Sequence, residues 1–194
     1  MALTPATLLA GYAQGLFPMA DERGRIDWYD ADPRAIIPLE TFHTPRRLAR
    51  TVRSSGLELR CDTAFEAVIA ACAAPQASRP SSWISPAIVD AYTELYRRGF
   101  AHSVETWRGE ELVGGLYGVA LRGLFAGESM FSRERDASKV ALVHLLGRLR
   151  RGGFLLLDSQ YIVGAHMLQF GTIEIAKAEY QRRLAAALEV EAIF

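Results

Sequence analysis

Apolar positions Leu8, Leu9 and Tyr12 follow Thr4-Pro5 at helical spacing, a pattern that predicts a short capped helix stopped by Gly15. Beyond Leu16-Phe17-Pro18 the pattern breaks into a stretch rich in Asp, Gly and Pro, with one apolar patch at Ile26, Trp28 and Tyr29. Pro33 keeps Asp32 out of helix and marks a boundary. Ala35-Ile36-Ile37 then reads as a strand, Pro45 to Ser54 as a helix carrying Arg46, Arg47, Arg50 and Arg53, and Leu57 to Cys61 as a second strand. Thr63-x-x-Glu66 has the form of a capping box opening an apolar helix through Ala74. After a Pro/Ser/Gln loop, Ser85-Pro86 opens a helix that ends at Gly99. From Ala101 the apolar period changes to two. Ala101–Trp107, Glu111–Ala120 and Leu124–Phe131 read as three strands joined by hairpin turns at Arg108-Gly109-Glu110 and Leu121-Arg122-Gly123. Asp136 is placed to cap a helix to Arg151 that Gly152-Gly153 stops, and Phe154–Asp158 reads as a fully apolar buried strand. A short helical stretch ending near Gly171, a strand at Ile173–Ile175 and an amphipathic helix from Ala176 to Val190 complete the chain.

Helices feeding an antiparallel meander, which a further helix crosses to a buried strand, describe an α/β fold with a mixed sheet. The order is similar to that of GNAT-type acyltransferases. Residues 1–34 are too few and too broken to build a core, so they read as a small N-terminal domain on a main, GNAT-like domain at 35–194. Fold alone leaves function open.

Composition narrows the classes. The 194 residues are 50% hydrophobic and 23% charged, which is not the balance of a disordered chain. A chain of this length buries roughly two-thirds of its unfolded surface and needs no disulfide or metal staple. No apolar run approaches the roughly 18 residues that span a bilayer. The start lacks the basic and apolar regions of a signal peptide, so a cytoplasmic protein with no membrane partner is expected. Cys61 and Cys72 match no metal spacing and read as packed thiols, and His43, His102, His144 and His166 are scattered. No metal and no cofactor are expected. Lys+Arg 22 against Asp+Glu 22 gives zero net charge, yet of the basic residues only Lys139 and Lys177 are lysines. Arg34, Arg46, Arg47, Arg50, Arg53 and Arg60 lie close together in sequence against Glu40 and Glu58. Such a run is either a solvated helix face or a grip for RNA backbone.

Polar groups where apolar ones belong are the other candidates. Asp158 and Gln160 follow Phe154-Leu-Leu-Leu157 at spacing two and so point to one face of a sheet. Glu128 interrupts Leu-Phe-Ala-Gly-Glu-Ser-Met-Phe, sharing a face with Ala126 and Met130 on a regular strand. A buried carboxylate is costly unless paired or used. Together the three line one cleft, or else Asp158 caps its strand and Glu128 pairs with a core arginine. Trp83, just ahead of a helix N-terminus, is either a core plug or a platform for a nucleobase.

Ordered motifs then bring a family into view. They are Leu8-Leu9-Ala10-Gly11-Tyr12-x-x-Gly15-Leu16-Phe17-Pro18, Trp28-Tyr29-x-x-Asp32-Pro33-Arg34-Ala35, Phe42-His43 and Ser82-Trp83-Ile84. They continue with Gly99-x-Ala101-His102-Ser103-Val104-Glu105-x-Trp107, Glu111 to Gly118, Gly127-Glu128-Ser129-Met130-Phe131-Ser132-Arg133-x-x-x-Ala137-Ser138-Lys139, and Asp158-x-Gln160. Over nearly its whole length the chain resembles leucyl/phenylalanyl-tRNA–protein transferases. The resemblance implies an enzyme that moves Leu or Phe, and Met less well, from aminoacyl-tRNA to the α-amine of proteins beginning with Arg or Lys. The product is marked for N-degron proteolysis, and a monomer is expected.

By the same resemblance, Gln160 takes a hydrogen bond from the attacking amine, Asp158 polarises and orients Gln160 through its side-chain amide, and Glu128 helps hold the acceptor. Leu116, Phe125, Gly127, Ser129, Met130, Leu145 and Leu157 match the aminoacyl side-chain pocket. Trp83 and Met19 match positions at the tRNA's terminal adenosine, and Arg46, Arg47, Arg50 and Arg53 suit tRNA backbone. Alanine at Asp158 or Glu128 is expected to leave folding intact and remove activity. The chain departs from the family at Met19, where Trp is usual, at Ser159 for Cys, at Gln169 for Ser, in a shortened start, and in one extra residue between Gln160 and His166. Two other readings compete. An acyl-CoA-dependent N-acyltransferase needs a glycine-bearing pyrophosphate loop, which Ser132 to Lys139 does not provide. A non-catalytic RNA- or N-degron-binding adaptor would follow if the departures disable catalysis.

Overall fold

A computed structural model describes residues 3–75, 81–162 and 165–194, the side chains at 165 and 166 excepted. The Pro/Ser/Gln loop at 76–80, and with it the lengthened stretch between Gln160 and His166, lies outside the described residues in whole or part. The first helix, α1 (Pro5–Ala13), starts on Thr4, whose hydroxyl accepts from Thr7 N–H while Thr7 reciprocates, and it ends before Gly15 at φ +81°. Its buried face is Leu8, Gly11 and Tyr12. Gly11 has to be glycine because a Cβ there would lie 2.1 Å from the Trp28 ring. That ring sits on a hairpin of β1 (Phe17–Ala20) and β2 (Ile26–Tyr29), where the sequence pattern showed only an apolar patch. Four-residue strands containing Pro18 and joined by a polar turn carry too little alternation to be read.

The chain continues through β3 (Arg34–Ile37), α2 (Arg46–Ser54), β4 (Glu58–Cys61), α3 (Phe65–Ala73), α4 (Pro86–Arg97) and the meander β5 (Ala101–Arg108), β6 (Glu111–Leu121) and β7 (Leu124–Ser132). Helix α5 (Ala137–Arg151) crosses to β8 (Leu156–Gln160); a 3-10 turn (Ala165–Phe170), β9 (Ile173–Ile175) and α6 (Lys177–Leu188) follow. The main sheet has the order β4-β5-β6-β7-β8-β3-β9, antiparallel except between β7 and β8. This is the mixed α/β sheet expected. One apolar layer packs Tyr12, Val68, Tyr92, Tyr117, Leu156 and Leu184 under α1, α3, α4 and α6. The opposite layer packs Leu48, Leu116, Phe125, Leu145 and Leu157 under α2 and α5. Leu8, Tyr12 and Phe17 belong to the first of these layers and so share a core with the sheet. Among the described residues no helix is long and apolar enough to cross a membrane.

Three local expectations change. Thr63 and Glu66 form no capping box: α3 starts at Phe65, and Glu66 pairs with Arg97 at 3.0 Å. Wholly buried Glu105 on β5 takes over, accepting from Thr63 N–H and Ala64 N–H at 3.1 Å each and from the hydroxyls of Thr63 and Ser103. An ionised acceptor at a helix start outcompetes a hydroxyl. Asp136 precedes α5 at φ +65° but turns its carboxylate to Lys139, leaving Ser132 Oγ to accept from Ser138 N–H at 3.0 Å. Finally, β8 begins at Leu156, and Leu155, 47% exposed, is no part of a buried run. Removing the acceptor in Glu105→Ala strands several buried donors. It is predicted to cost roughly 2–4 kcal/mol in urea unfolding, against about 1 kcal/mol for Thr63→Ala; unchanged stability in Glu105→Ala would refute this account of how α3 starts.

Candidate active site

The parallel register of β7 and β8 covers only Leu124/Leu156, Phe125/Leu157 and Ala126/Asp158. Beyond it β7 follows β6 to Ser132, whereas β8 follows β3 to Gln160/Ala35. The strands part, with Gly127 to Met130 on one side of the opening and Ser159 and Gln160 on the other. Tyr117 pairs with Ser129 and Gly118 with Gly127, so Glu128 is the extra residue of a bulge. The bulge breaks the period of two. Ala126 and Phe131 lie in the layer under α1, Phe125 and Met130 in or against the layer under α5. Glu128 therefore shares a face with Ala126 but not, as regular alternation had implied, with Met130.

Asp158 is 0% exposed. Arg34 Nε donates to its Oδ1 at 2.9 Å and Nη2 to Oδ2 at 2.6 Å; Tyr180 Oη donates to Oδ2 at 2.8 Å, and the Gln160 backbone N–H to Oδ1 at 2.8 Å. Arg34 is itself 1% exposed, held between the rings of Phe17 and Tyr180 at 4.7 and 4.5 Å, with Nη1 on the Gly15 carbonyl at 2.8 Å. The planar guanidinium fork makes this bidentate pair possible.

The expected bond from the Gln160 side-chain amide to Asp158 is not made. Gln160 Nε2 donates instead to Glu128 Oε1 at 2.9 Å. Arg34 and Tyr180 already occupy Asp158, and Gln160 sits at φ +62° in a tight turn closed by Tyr161 N–H to Ser159 O at 2.7 Å. That left-handed conformation is strained for a non-glycine residue.

Glu128 is partly exposed. Tyr12 Oη lies 2.7 Å from its Oε1 and Tyr92 Oη 3.2 Å from Oε2, and the two hydroxyls also meet; with one proton each, they supply two of these three hydrogen bonds at a time, so at least one hydroxyl donates to the carboxylate. Burial pushes the Glu128 carboxyl up to about 7; the Asp158 charge adds to this, while the tyrosine hydroxyls and Arg34 oppose it. Burial, and then the neighbouring Glu128 charge, raise both phenols well above their ordinary value, so they remain donors. The core arginine anticipated as a partner for Glu128 is Arg34, and it belongs to Asp158.

Leu116, Phe125, Leu145 and Leu157 are buried together with Met130 against them, and Gly127 and Ser129 edge the opening, partly exposed. The Ser159 hydroxyl is buried with no hydrogen bond among the described residues. Ala20 N–H bonds the Trp83 carbonyl at 3.1 Å, which places neighbouring Met19 beside Trp83; both are partly buried. Arg46, Arg47, Arg50 and Arg53 are exposed, and among the described residues none is in an ion pair. Arg34 is buried, and Arg60 is taken by Glu58 at 2.8 Å and by the Trp107 ring, so neither joins that patch. Arg47 does meet Arg135, Lys139 and Gln169 around a cavity of about 280 Å³. Sequence reasoning missed Tyr12, Tyr92 and Tyr180 and misplaced Arg34. A buried aspartate demands a partner, but its identity depends on β3 inserting between β8 and β9.

The parallel strands part over a carboxylate–amide pair in a mixed sheet, and the comparisons give the class of protein that carries it, a transferase. The family model described as leucyl/phenylalanyl-tRNA protein transferase matches residues 36–185, and that of its N-terminal domain residues 1–32. The leucyl/phenylalanyl-tRNA–protein transferase of Paramagnetospirillum magneticum is 55% identical over 99% of this chain and 92% of its own. That of Phenylobacterium zucineum is 58% identical over 96% and 85%, and that of Herpetosiphon aurantiacus 55% identical over 99% and 98%. The chain belongs to the leucyl/phenylalanyl-tRNA protein transferase family.

Two outcomes follow for stability. Arg34→Met leaves Asp158 buried without its cation and is predicted to cost about 3–5 kcal/mol in chemical unfolding. Asp158→Ala strands Arg34 in the same way and is predicted to lose comparable stability, in place of the intact folding expected from sequence; wild-type stability in either would refute the pairing account. A carboxyl raised in the folded state favours folding fully below its ordinary value of 4.5 and loses that contribution as pH rises through 7. Glu128→Gln is therefore predicted to gain thermal stability relative to wild type at about pH 8 but not at about pH 4, as followed by melting temperature.

Proposed function

We propose that the protein transfers leucine or phenylalanine, and methionine less well, from aminoacyl-tRNA to the α-amine of proteins with an N-terminal Arg or Lys, committing them to N-degron proteolysis. The observation that carries this reading is the Gln160–Glu128 hydrogen bond in the opening between β7 and β8, beside an apolar cluster suited to a leucine or phenylalanine side chain. An aminoacyl ester is already activated, so the protein has mainly to position an amine and move its protons. With Nε2 held by Glu128, the Gln160 carbonyl is the end that accepts from the amine. Asp158 orients Gln160 through its backbone N–H. Glu128 attracts the cationic acceptor, while Leu116, Phe125, Gly127, Ser129, Met130, Leu145 and Leu157 form the aminoacyl side-chain site. Trp83 stacks on the terminal adenosine with Met19 beside it, a polarizable apolar contact where the family has a second tryptophan. Arg46, Arg47, Arg50 and Arg53 meet tRNA phosphates.

The test is transfer of labelled Leu from Leu-tRNA to peptides carrying each of the twenty N-terminal residues. Transfer to Arg and Lys peptides is expected; binding of Leu-tRNA without transfer would instead favour the adaptor. Trp83→Ala is predicted to weaken Leu-tRNA binding by about 5- to 100-fold, as one lost base stack implies. Changing the four α2 arginines to alanine should lower the slope of log affinity against log salt by up to about 4, close to one per lost phosphate contact. An unchanged slope would place the tRNA elsewhere.

A further inference from the structure

We infer that Glu128, rather than Asp158 or Gln160, takes the proton from the acceptor's α-ammonium, and that the hydroxyls of Tyr12 and Tyr92 position and tune it for that task. The inference rests on the transfer reaction proposed above and concerns the fate of its protons. Occupancy separates the two carboxylates. A carboxylate offers about four acceptor sites. Asp158 accepts four hydrogen bonds, two of them from one guanidinium fork, and is 0% exposed, so no acceptor site is left for a substrate. Glu128 receives at most three, from Tyr12, Tyr92 and Gln160, all neutral, and the residue is partly exposed. At least one acceptor site remains, and among the described residues no cation is in contact with the carboxylate to hold it ionised. Gln160 is an amide with no basic group, so it orients the amine without taking its proton.

The groups facing Glu128 come from four elements: Tyr12 on α1, Tyr92 on α4 with Tyr117 packed edge-on to its ring, Asp158 and Gln160 on β8, and Arg34 on β3. Burial and the Asp158 charge raise the Glu128 carboxyl to about 7, close to an N-terminal amine at about 8, where proton exchange is nearly balanced. Both hydroxyls hydrogen-bond the charged form and pull in the opposite direction. In the step itself the Glu128 carboxylate takes one proton from the ammonium. The freed lone pair forms the C–N bond, and the ester C–O bond breaks with its electron pair on the terminal ribose oxygen. That oxygen takes the second proton shed by nitrogen, and Glu128 returns its own to solvent.

The test measures single-turnover Leu transfer to a saturating Arg-peptide from about pH 5.5 to 8.5, beside direct titration of the Glu128 carboxyl by carbon-13 NMR in glutamate-labelled protein. Wild type should show a rate that rises through the pH at which Glu128 titrates, near 7. Glu128→Gln should lose at least about 100-fold in rate and lose that limb, keeping only the limb of the amine. Tyr12→Phe, with Tyr92→Phe as the second variant, should move both the NMR titration and the kinetic limb to higher pH, because each removes a donor to the charged form. The amine is common to all these proteins, so only an enzyme group can move the limb. A limb that persists in Glu128→Gln, a loss under about tenfold there, or a titration that stays put in both tyrosine variants would overturn the inference. Wild-type protein that binds Leu-tRNA but transfers nothing would overturn the proposed function instead.

Discussion

A carboxylate at the end of an interior strand has to be answered by donors, and at Asp158 the side-chain donors come from two other parts of the chain. Arg34 arrives from the segment that follows the N-terminal hairpin and Tyr180 from the last helix, while Gln160 supplies its backbone from two residues on. The arginine is in turn held by the carbonyl of Gly15, and a Cβ at Gly15 would stand 2.8 Å from the Tyr180 ring. The first thirty-odd residues and α6 are thus fastened to β8 at one point. Because the same carboxylate holds the Gln160 N–H, the pair that closes the fold also holds the strained turn that aims the Gln160 side chain across the opening. Replacing a buried ion pair by apolar residues is often neutral or better for stability. A pair kept here is best explained by the geometry it imposes on Gln160.

Two carboxylates on adjacent strands then divide the work by environment. Asp158 has a cation and a full set of donors; Glu128 has only neutral donors, a bulge that aims it at the opening, and a neighbouring negative charge. The separation follows from which strand carries the arginine's partner. Under the inference drawn for Glu128, the stability that folding gives up by burying it is reactivity held in reserve, since a carboxyl poised near neutrality exchanges protons where a relaxed one would not.

Much of this was legible in the sequence, for identifiable reasons. Long periodic elements such as α4, α5 and the meander read correctly because their patterns extend over many residues. The hairpin β1/β2 did not, since strands of four residues are too short to show a period of two. Thr63 and Glu66 were a valid local capping signature, overridden by Glu105, which lies some forty residues away in sequence and 3.1 Å away in space. The face of Met130 was misread because a bulge leaves no mark in a period-two pattern. At the site, the unusual residues Glu128, Asp158 and Gln160 were visible as polar interruptions of apolar strands. Their pairing was not, because it depends on β3 entering the sheet between β8 and β9 and on α1 bringing Tyr12 beneath β7.

The charge distribution settles into a similar division. Six arginines crowd the stretch from Arg34 to Arg60, but Arg34 is spent inside the fold and Arg60 on Glu58 and Trp107, so within that stretch the free positive charge lies on α2, while the neighbouring Arg135 and Lys139 share the carboxylate of Asp136. Counterion release scales with the number of phosphates met, so in the proposed function a patch of this size on a protein of zero net charge would give local, salt-sensitive attachment without drawing in nucleic acid over the whole surface. An enzyme that consumes one charged nucleic acid per turnover has to let the spent one go. On the proposed reading, a small patch acting with a stacking ring at Trp83 supplies orientation without gripping the whole nucleic acid.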